Sequence, residues 1–339
     1  MSDDEIPWKD ATPAVSHTLS ESPTCLAWSS DGARLVVADA GGEVRCFDRS
    51  GRGLWDAQLH LDAVLDLALG SRGTLVTGGA DGRCIFSELG GGSVRAEVRS
   101  GDARIERVAC ADELGLAVAA AGRALRAYTT DGRERWTEPE VPSPIADVGL
   151  GSGGEVRTAC EDGVHLLRPE GAPRRLLAWE GPMICLAFDP RAESLAGGCH
   201  DGSVHVWRLG TVEGSRSTSL GHVIEPRFLA WSPDGQHLAA IGASSIAVWS
   251  SRGEGDESGR PWHLPHVEHP VSRVSFGARR LAAAGDGVVS IWDPRADSGP
   301  ARRAELGGRV EALAWCPRGD ALAAATTPHH LYVFGADRA

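Results

Sequence analysis

An all-β ring of eight four-stranded blades is the fold that this 339-residue sequence predicts. Three observations predict it. An alternating apolar strand that runs into a turn recurs about every 40 residues. No window sustains a helical period. A spare strand at the N-terminus matches a strand missing from the last unit, so the ring can close without leaving a sheet edge.

The first strand of each unit carries the clearest signal. Cys25-Leu26-Ala27-Trp28 runs into Ser29-Ser30-Asp31-Gly32, and Phe228-Leu229-Ala230-Trp231 runs into Ser232-Pro233-Asp234-Gly235. Ala312-Leu313-Ala314-Trp315 and Cys185-Leu186-Ala187-Phe188 do the same. Weaker copies centre on Leu67, Val108, Val148 and Val274, which gives eight anchors spaced 38 to 45 residues apart. A second apolar strand follows, as in Leu35-Val36-Val37-Ala38 or Leu281-Ala282-Ala283-Ala284. Next comes a tight acidic or glycine turn at Asp81-Gly82, Asp162-Gly163, Asp201-Gly202 or Asp286-Gly287. The third strand ends in an aromatic residue, as at Trp207, Trp249 and Trp292. A polar loop leads to a weak fourth strand. The last unit stops after three strands, at Tyr332-Val333-Phe334, and Ala14-Val15-Ser16-His17-Thr18-Leu19 supplies the fourth. Residues 1–12 read as an acidic flexible tail and 13–339 as one propeller domain.

With Trp207, Trp249, the Trp292-Asp293 pair, Gly221-His222 and the turn aspartates Asp201 and Asp286, the chain resembles the WD40-repeat family. That resemblance implies a propeller of 40-residue blades, and it implies no single function. Most blades lack the full His, Ser/Thr, Asp and Trp set of the family. The segments Gly51 to Trp55 and Gly132 to Trp136 resemble quinoprotein-type propeller repeats instead, where the tryptophan docks between neighbouring blades. Seven blades, common among WD40 proteins, is the alternative; the spacing around Val108 and Val148 leaves no room to merge two units.

Composition narrows the function. The formal net charge is −12, which disfavours a nucleic-acid footprint, and no apolar run approaches a membrane span. The first ten residues lack the apolar core of an export signal, so a cytoplasmic location is expected. Only one of the 34 cations is a lysine, a bias expected of a GC-rich bacterial genome. Eight cysteines form no CxxC pair and sit within apolar strands, so they read as reduced core residues. Trp28, Trp231 and Trp315 read as core, Trp55, Trp136, Trp179 and Trp262 as covers over blade junctions, and Trp8 as a residue of the tail.

No catalytic constellation is present: there is no GxSxG, Walker loop or HExxH. Gly90-Gly91-Gly92 opens no helix and reads as a turn, not a phosphate cradle. His263, His266 and His269 lie in a proline-flanked loop, and His329-His330 in a turn; neither spacing demands a metal. No cofactor, metal or catalysis is expected.

The informative feature is charge by face. Loops joining blades and turns between second and third strands share one face. It gathers the acids Glu21, Asp62, Asp102, Glu138, Glu140, Glu180, Glu225 and Glu268, with Asp39, Glu43, Asp81, Glu161, Asp162, Asp201 and Asp286 in the turns. Arg83, Arg104, Arg123 and Arg309 are the cations assigned there, while fourteen other arginines, among them Arg174 and Arg175, fall on the opposite face mixed with a similar number of acids. Asp81, Asp162, Asp201 and Asp286 read as structural turn residues. The expectation is a non-catalytic scaffold, adaptor or regulatory subunit that docks one or more protein partners through a basic segment on the acidic face. An enzyme or small-ligand site at the mouth of the central channel is the alternative, and self-association is a third reading.

Overall fold

Consecutive apolar residues, not alternate ones, mark the second strand of each blade, because that strand is covered on both faces. In Arg34–Asp39, Leu35 and Val37 pack toward one neighbouring blade while Val36 and Ala38 pack toward the other. The outer strand is different. Gly53–Gln58 and Val94–Arg99 alternate between exposed and half-buried residues, which is the signature of a strand with one wet face.

The computed structural model describes residues 13–335 except 100, 102, 139, 152, 169–174, 179–182, 191–193, 209–216, 224–225, 243–245, 251–261, 264–269, 279 and 293–301. The tail at 1–12, with Trp8, lies outside the described residues. Within them the chain forms eight four-stranded antiparallel sheets. The one helical piece among the described residues is the 3-10 turn Asp112–Leu114. Among the described residues no helix is long and apolar enough to cross a membrane.

The innermost strands are Pro23–Trp28, Val64–Leu69, Arg107–Ala111, Asp147–Leu150, Met183–Phe188, Phe228–Trp231, Val271–Phe276 and Val310–Trp315. Consecutive ones are neighbours around the axis, and the eighth is a neighbour of the first. Eight clusters of buried side chains fill the gaps, each built from two adjacent blades, and one joins blade eight to blade one. The core is therefore a set of slabs between blades. The expected eight-bladed ring is observed.

The closing strand is Val15–Thr18. It pairs antiparallel with His330–Phe334, Val15 opposite Val333 and Thr18 opposite His330. Leu19, just past the strand, is buried in the slab between blades eight and one.

Tryptophans connect neighbouring blades. Trp28 Nε1 donates to the Ala314 carbonyl at 3.0 Å, and Trp231 Nε1 to the Ala187 carbonyl at 3.0 Å, each reaching the inner strand of the preceding blade. Trp207, Trp249, Trp292 and Trp315 are buried. On the outer strands, Trp55 Nε1 donates to the Leu89 carbonyl of blade two at 2.9 Å, and Trp136 packs on the slab between blades three and four. Trp179 and the side chain of Trp262 lie outside the described residues. None of the eight cysteines is in a disulfide.

Candidate docking face

Antiparallel order within each blade places the blade-joining loops and the turns between second and third strands at the same end. Backbone hydrogen bonds tie the two sets together. Ile105 N–H donates to the Gly79 carbonyl at 3.0 Å, Val141 N–H to Arg123 at 2.9 Å, Val223 N–H to Gly202 at 2.8 Å and Thr327 N–H to Arg309 at 2.9 Å. At these blades the face is thus a rim of loops held by the sheets beneath.

Blade two shows how an acid in the rim is used structurally. His60, from the loop before Val64–Leu69, is fully buried. Its Nδ1 lies 3.0 Å from Asp81 and its Nε2 2.8 Å from Thr77 Oγ1. Asp81 also accepts from the Leu61 N–H at 2.8 Å and from Arg83 Nε at 2.7 Å. Burial opposes ionisation of Asp81, but the bonds from His60, Leu61 and Arg83 outweigh it and hold the carboxyl well below the usual carboxylate range. Burial lowers the His60 pKa despite Asp81, so the ring is neutral, donating from Nδ1 and accepting the Thr77 hydroxyl at Nε2. Gly79 makes room for the ring: a Cβ there would lie 2.2 Å from His60 Nδ1.

The other turn acids vary. Asp39 is buried and accepts the Gly41 and Glu43 N–H groups at 2.9 and 3.0 Å. Asp201 accepts the Ser203 N–H at 2.8 Å. Asp162 lies 2.8 Å from His165 Nε2.

A different pattern holds for the exposed charges. Arg45 pairs with Glu43 at 3.0 Å, Arg83 with Asp81 and Glu97, Arg123 with Glu140 at 3.0 Å, and Arg309 with Glu311 at 3.4 Å. Glu21, Asp62, Glu161 and Asp286 are exposed and have no cation within 4.0 Å among the described residues. Arg104 is exposed and has no carboxylate partner among the described residues. Glu138 is half-buried at the end of an outer strand. Asp102, Glu180, Glu225 and Glu268 lie outside the described residues. Beside Asp62, Leu61 is 78% exposed.

Comparison with known proteins bears on the family. The model of the WD domain, G-beta repeat, matches residues 14–48 and 174–208. Those are two full spans of the repeat read above, on opposite sides of the ring. The chain is an eight-bladed propeller that carries WD40 repeats. It is 22% identical over 305 residues to the SIR4-interacting protein SIF2 of Saccharomyces cerevisiae, covering 84% of this chain and 49% of that one. It is 31% identical over 128 residues to the histone transcription regulator slm9 of Schizosaccharomyces pombe, covering 32% of this chain and 15% of that one. The chain thus spans about half the length of the first relative and less of the second. Among solved structures, Sqt1 from Chaetomium thermophilum superimposes with a TM-score of 0.78 at 19% identity, covering 96% of this chain and 99% of that one. The computationally designed Ika8 protein gives 0.76 at 17%, covering 93% and 98%. These two likenesses show the fold.

The WD40 set of blade two lacks only its tryptophan. Ser87 stands six residues after Asp81, as Trp207 stands six after Asp201, and its hydroxyl is buried without a hydrogen-bond partner. Sequence reasoning missed His60 because no glycine precedes it, so the Gly-His signature is absent.

Around the axis of the WD40 ring the inner strands carry charges that sequence reasoning also missed. Asp66 accepts the Val108 N–H of the next blade at 2.9 Å, and Arg107 lies 3.9 Å from Asp147. Burial raises Asp66 and Asp147 to about 6, against their bonds to backbone N–H groups and the charge of Arg107. On the opposite arc, Arg273 lies 4.5 Å over the Phe228 ring and 3.9 Å from Glu311. Burial pushes the Cys25 and Cys185 thiols up to about 12, which leaves both in the unreactive thiol form.

One group of metal-ligand residues comes together among the described residues: Cys160, Asp162 and His165 of blade four, with donor atoms within 4.8 Å of one another. His165 is the cross-strand partner of Thr158, at the register where blade two pairs Ile85 with Thr77. Its imidazole meets the turn aspartate from the third strand, as His60 does from the blade-joining loop. The group repeats the packing relay of blade two with a different histidine and supplies three of the four donors of a closed zinc site. His263, His266 and His269 have no described side chains.

Proposed function

We propose that this WD40 ring is a non-catalytic docking subunit that holds a protein partner on the rim of blade-joining loops, through a basic segment of that partner. The observation that carries the reading is the distribution of ion pairs. Of the rim's described arginines, Arg45, Arg83, Arg123 and Arg309 are engaged by carboxylates and Arg104 is not, while Glu21, Asp62, Glu161 and Asp286 have no cation partner among the described residues. Unpaired like charges on one face raise the encounter rate of a basic ligand. Leu61 adds an exposed apolar anchor among them. The yeast relative is named for interaction with another protein, which agrees with a role in protein–protein contact.

The ion pairs bear on which acids the reading uses. Glu140 is tied to Arg123, so neutralising it frees a cation within the rim. The variant to test combines Glu21→Gln, Asp62→Asn, Glu161→Gln and Asp286→Asn. Partners are captured from lysate with the wild-type chain, identified, and their association rates measured between 50 and 300 mM salt. The reading expects a partner with a basic segment, an association rate that falls as salt rises, and slower association with the fourfold variant at low salt. Equal rates for both proteins at low salt would overturn it. Reversal of Arg175 on an outer strand should leave the same rate unchanged.

The inner-strand carboxylates are the observation that could favour a ligand site at the central opening. Asp66 is engaged by backbone N–H groups and Asp147 by a backbone N–H and Arg107, so both read as ties between blades.

A further inference from the structure

At the other end of the ring, the turns of blades one and two leave a polar groove of about 420 Å³ between them. Its walls are residues 29–31 and Arg34 of blade one, residues 70–73 of blade two, and the loop of blade two around Leu89 and Gly90, with Glu88 and Arg95 at the edge. Leu89 is the one apolar side chain in the wall, so an apolar ligand gains little there.

Three guanidinium groups converge on the groove, and they are not equivalent. Arg95 is held by Glu88, through Nε at 3.1 Å and Nη2 at 2.9 Å. Among the described residues Arg34 and Arg72 have no carboxylate within 4.0 Å, and Arg34 also reaches the Cys46 thiol from the strand that carries it. The second acid of the wall, Asp31, is occupied in its own turn. It accepts the Ser29 hydroxyl at 2.6 Å and the Ala33 N–H at 2.9 Å, and Arg318 beside it offsets its charge. The bond from Ser29, more than any other cause, holds its carboxyl below the usual range.

Neutral donors complete the wall. Ser30 is exposed, and its hydroxyl is uncommitted. The Gly90 N–H makes no hydrogen bond, whereas its neighbours Leu89 and Gly92 donate to the Gly73 and Glu88 carbonyls. A Cβ at Gly90 would meet nothing within 4 Å, so bare backbone faces open space there. Two guanidinium groups without a described carboxylate partner, a hydroxyl and a backbone N–H from separate segments of two blades form the donor set that an oxyanion with several acceptor oxygens needs.

We propose that this groove binds a phosphoryl group, with Arg34 and Arg72 supplying charge and Ser30 and the Gly90 N–H supplying hydrogen bonds. A dianion with three acceptor oxygens uses more of this set than a single carboxylate does. The groove is several times larger than a phosphate ion, so a phosphate carried on a larger molecule fills it better. Two sources share this chemistry: a phosphorylated side chain of a protein, and free phosphate. The site is on the face opposite the acidic rim and stands apart from the docking reading.

The test is calorimetric titration of the full chain with inorganic phosphate, and with a five-residue alanine peptide carrying a central phosphoserine, against its unphosphorylated twin. The proposal expects saturable binding that the unphosphorylated peptide does not show. Tighter binding of the phosphopeptide than of free phosphate assigns the groove to phosphoproteins, and the reverse order assigns it to the free ion. Arg34→Gln with Arg72→Gln should weaken binding at least about tenfold, while Arg52→Gln, on the same face but outside the groove, should leave it unchanged. If Arg34→Gln disturbs the melting temperature, Arg72→Gln alone carries the test, because Arg72 is exposed. Absence of saturable binding to the wild-type chain would overturn the proposal. So would full affinity in a well-folded Arg72→Gln variant.

Discussion

The Nδ1 atom of His60 lies 3.0 Å from the Asp81 carboxylate, with the ring wholly buried and its other nitrogen on Thr77. The relay joins a blade-joining loop, a turn and a second strand within one blade. Removing the ring leaves a buried carboxylate and a buried hydroxyl short of a partner, so His60→Ala should cost about 2–4 kcal/mol in urea unfolding. The pH dependence has a definite sign. Asp81 is depressed in the folded state, so its stabilisation is present above the unfolded value near 3.8 and is lost as pH falls through the folded one. His60 is also depressed, so below the ordinary imidazole value of 6.5 the folded state binds fewer protons than the unfolded one, and stability again declines as pH falls. The difference between wild type and His60→Ala should shrink steadily from pH 7 to pH 3. A constant difference over that range would mean that the relay is not ionised as described.

Ring closure gives a second test. Deleting residues 1–20 removes the pairing of Val15–Thr18 with the last blade and the buried Leu19. Burial of one leucine is worth about 1.5–3 kcal/mol, and each lost strand hydrogen bond about 0.5–1.5. The truncated chain should melt at least about 5 °C lower or aggregate through the bared edge, about the shift that 4 kcal/mol produces in a chain of this size. Deletion of residues 1–6 alone should be neutral. A melting temperature unchanged by the longer deletion would refute closure by this strand.

Blade number and closure were legible because both are written in apolar patterning. Anchors such as Leu26, Leu186, Leu229 and Leu313 recur at blade spacing, and Val15–Thr18 stands apart as a strand without a unit. The polar network was less legible. Asp66 and Arg107 look like interruptions of apolar strands until the ring brings Asp66 to the Val108 N–H in the next blade. Charge by face could be read from loop assignment, but ion pairing could not. Nothing in the spacing of Arg123 and Glu140 shows that they meet, and that contact removes Glu140 from the unpaired acids. The groove between blades one and two depends on three turns separated by tens of residues, so no local motif marks it.

The inner-strand carboxylates should act on stability in the opposite direction to Asp81. Burial lifts Asp66 and Asp147 to about 6, above the unfolded value of 3.8. Between those values the folded state binds more protons than the unfolded one, so their contribution to stability increases as pH falls from 7 to 5 and is lost as pH rises through 6. The Asp147 side chain is 34% exposed, so water tempers its part and Asp66 should dominate. Asp66→Asn should therefore weaken the chain more at pH 5 than at pH 7 relative to wild type, read from urea midpoints at both values. An equal loss at both would show that Asp66 keeps an ordinary carboxylate pKa.

Gly92 and Gly90 stand two residues apart in one loop and should respond oppositely to the same substitution. Gly92 has φ +71°, and a Cβ there would lie 2.8 Å from the Trp55 ring that bridges blades one and two. Alanine at 92 meets both a backbone conformation that costs an L residue about 1 kcal/mol or more and a rigid indole that is itself held by its bond to the Leu89 carbonyl. Gly90 has open space around it, and no positive φ is recorded there. Gly92→Ala should destabilise the chain by about 2 kcal/mol or more, and Gly90→Ala should be neutral or slightly stabilising because it restricts the unfolded chain. Trp55→Ala should also destabilise, and the double variant Trp55→Ala with Gly92→Ala should lose less than the two single losses combined, because the clash disappears with the ring. Additive losses in that cycle, measured by urea unfolding, would show that Gly92 is required for its backbone angle alone and not for its contact with Trp55.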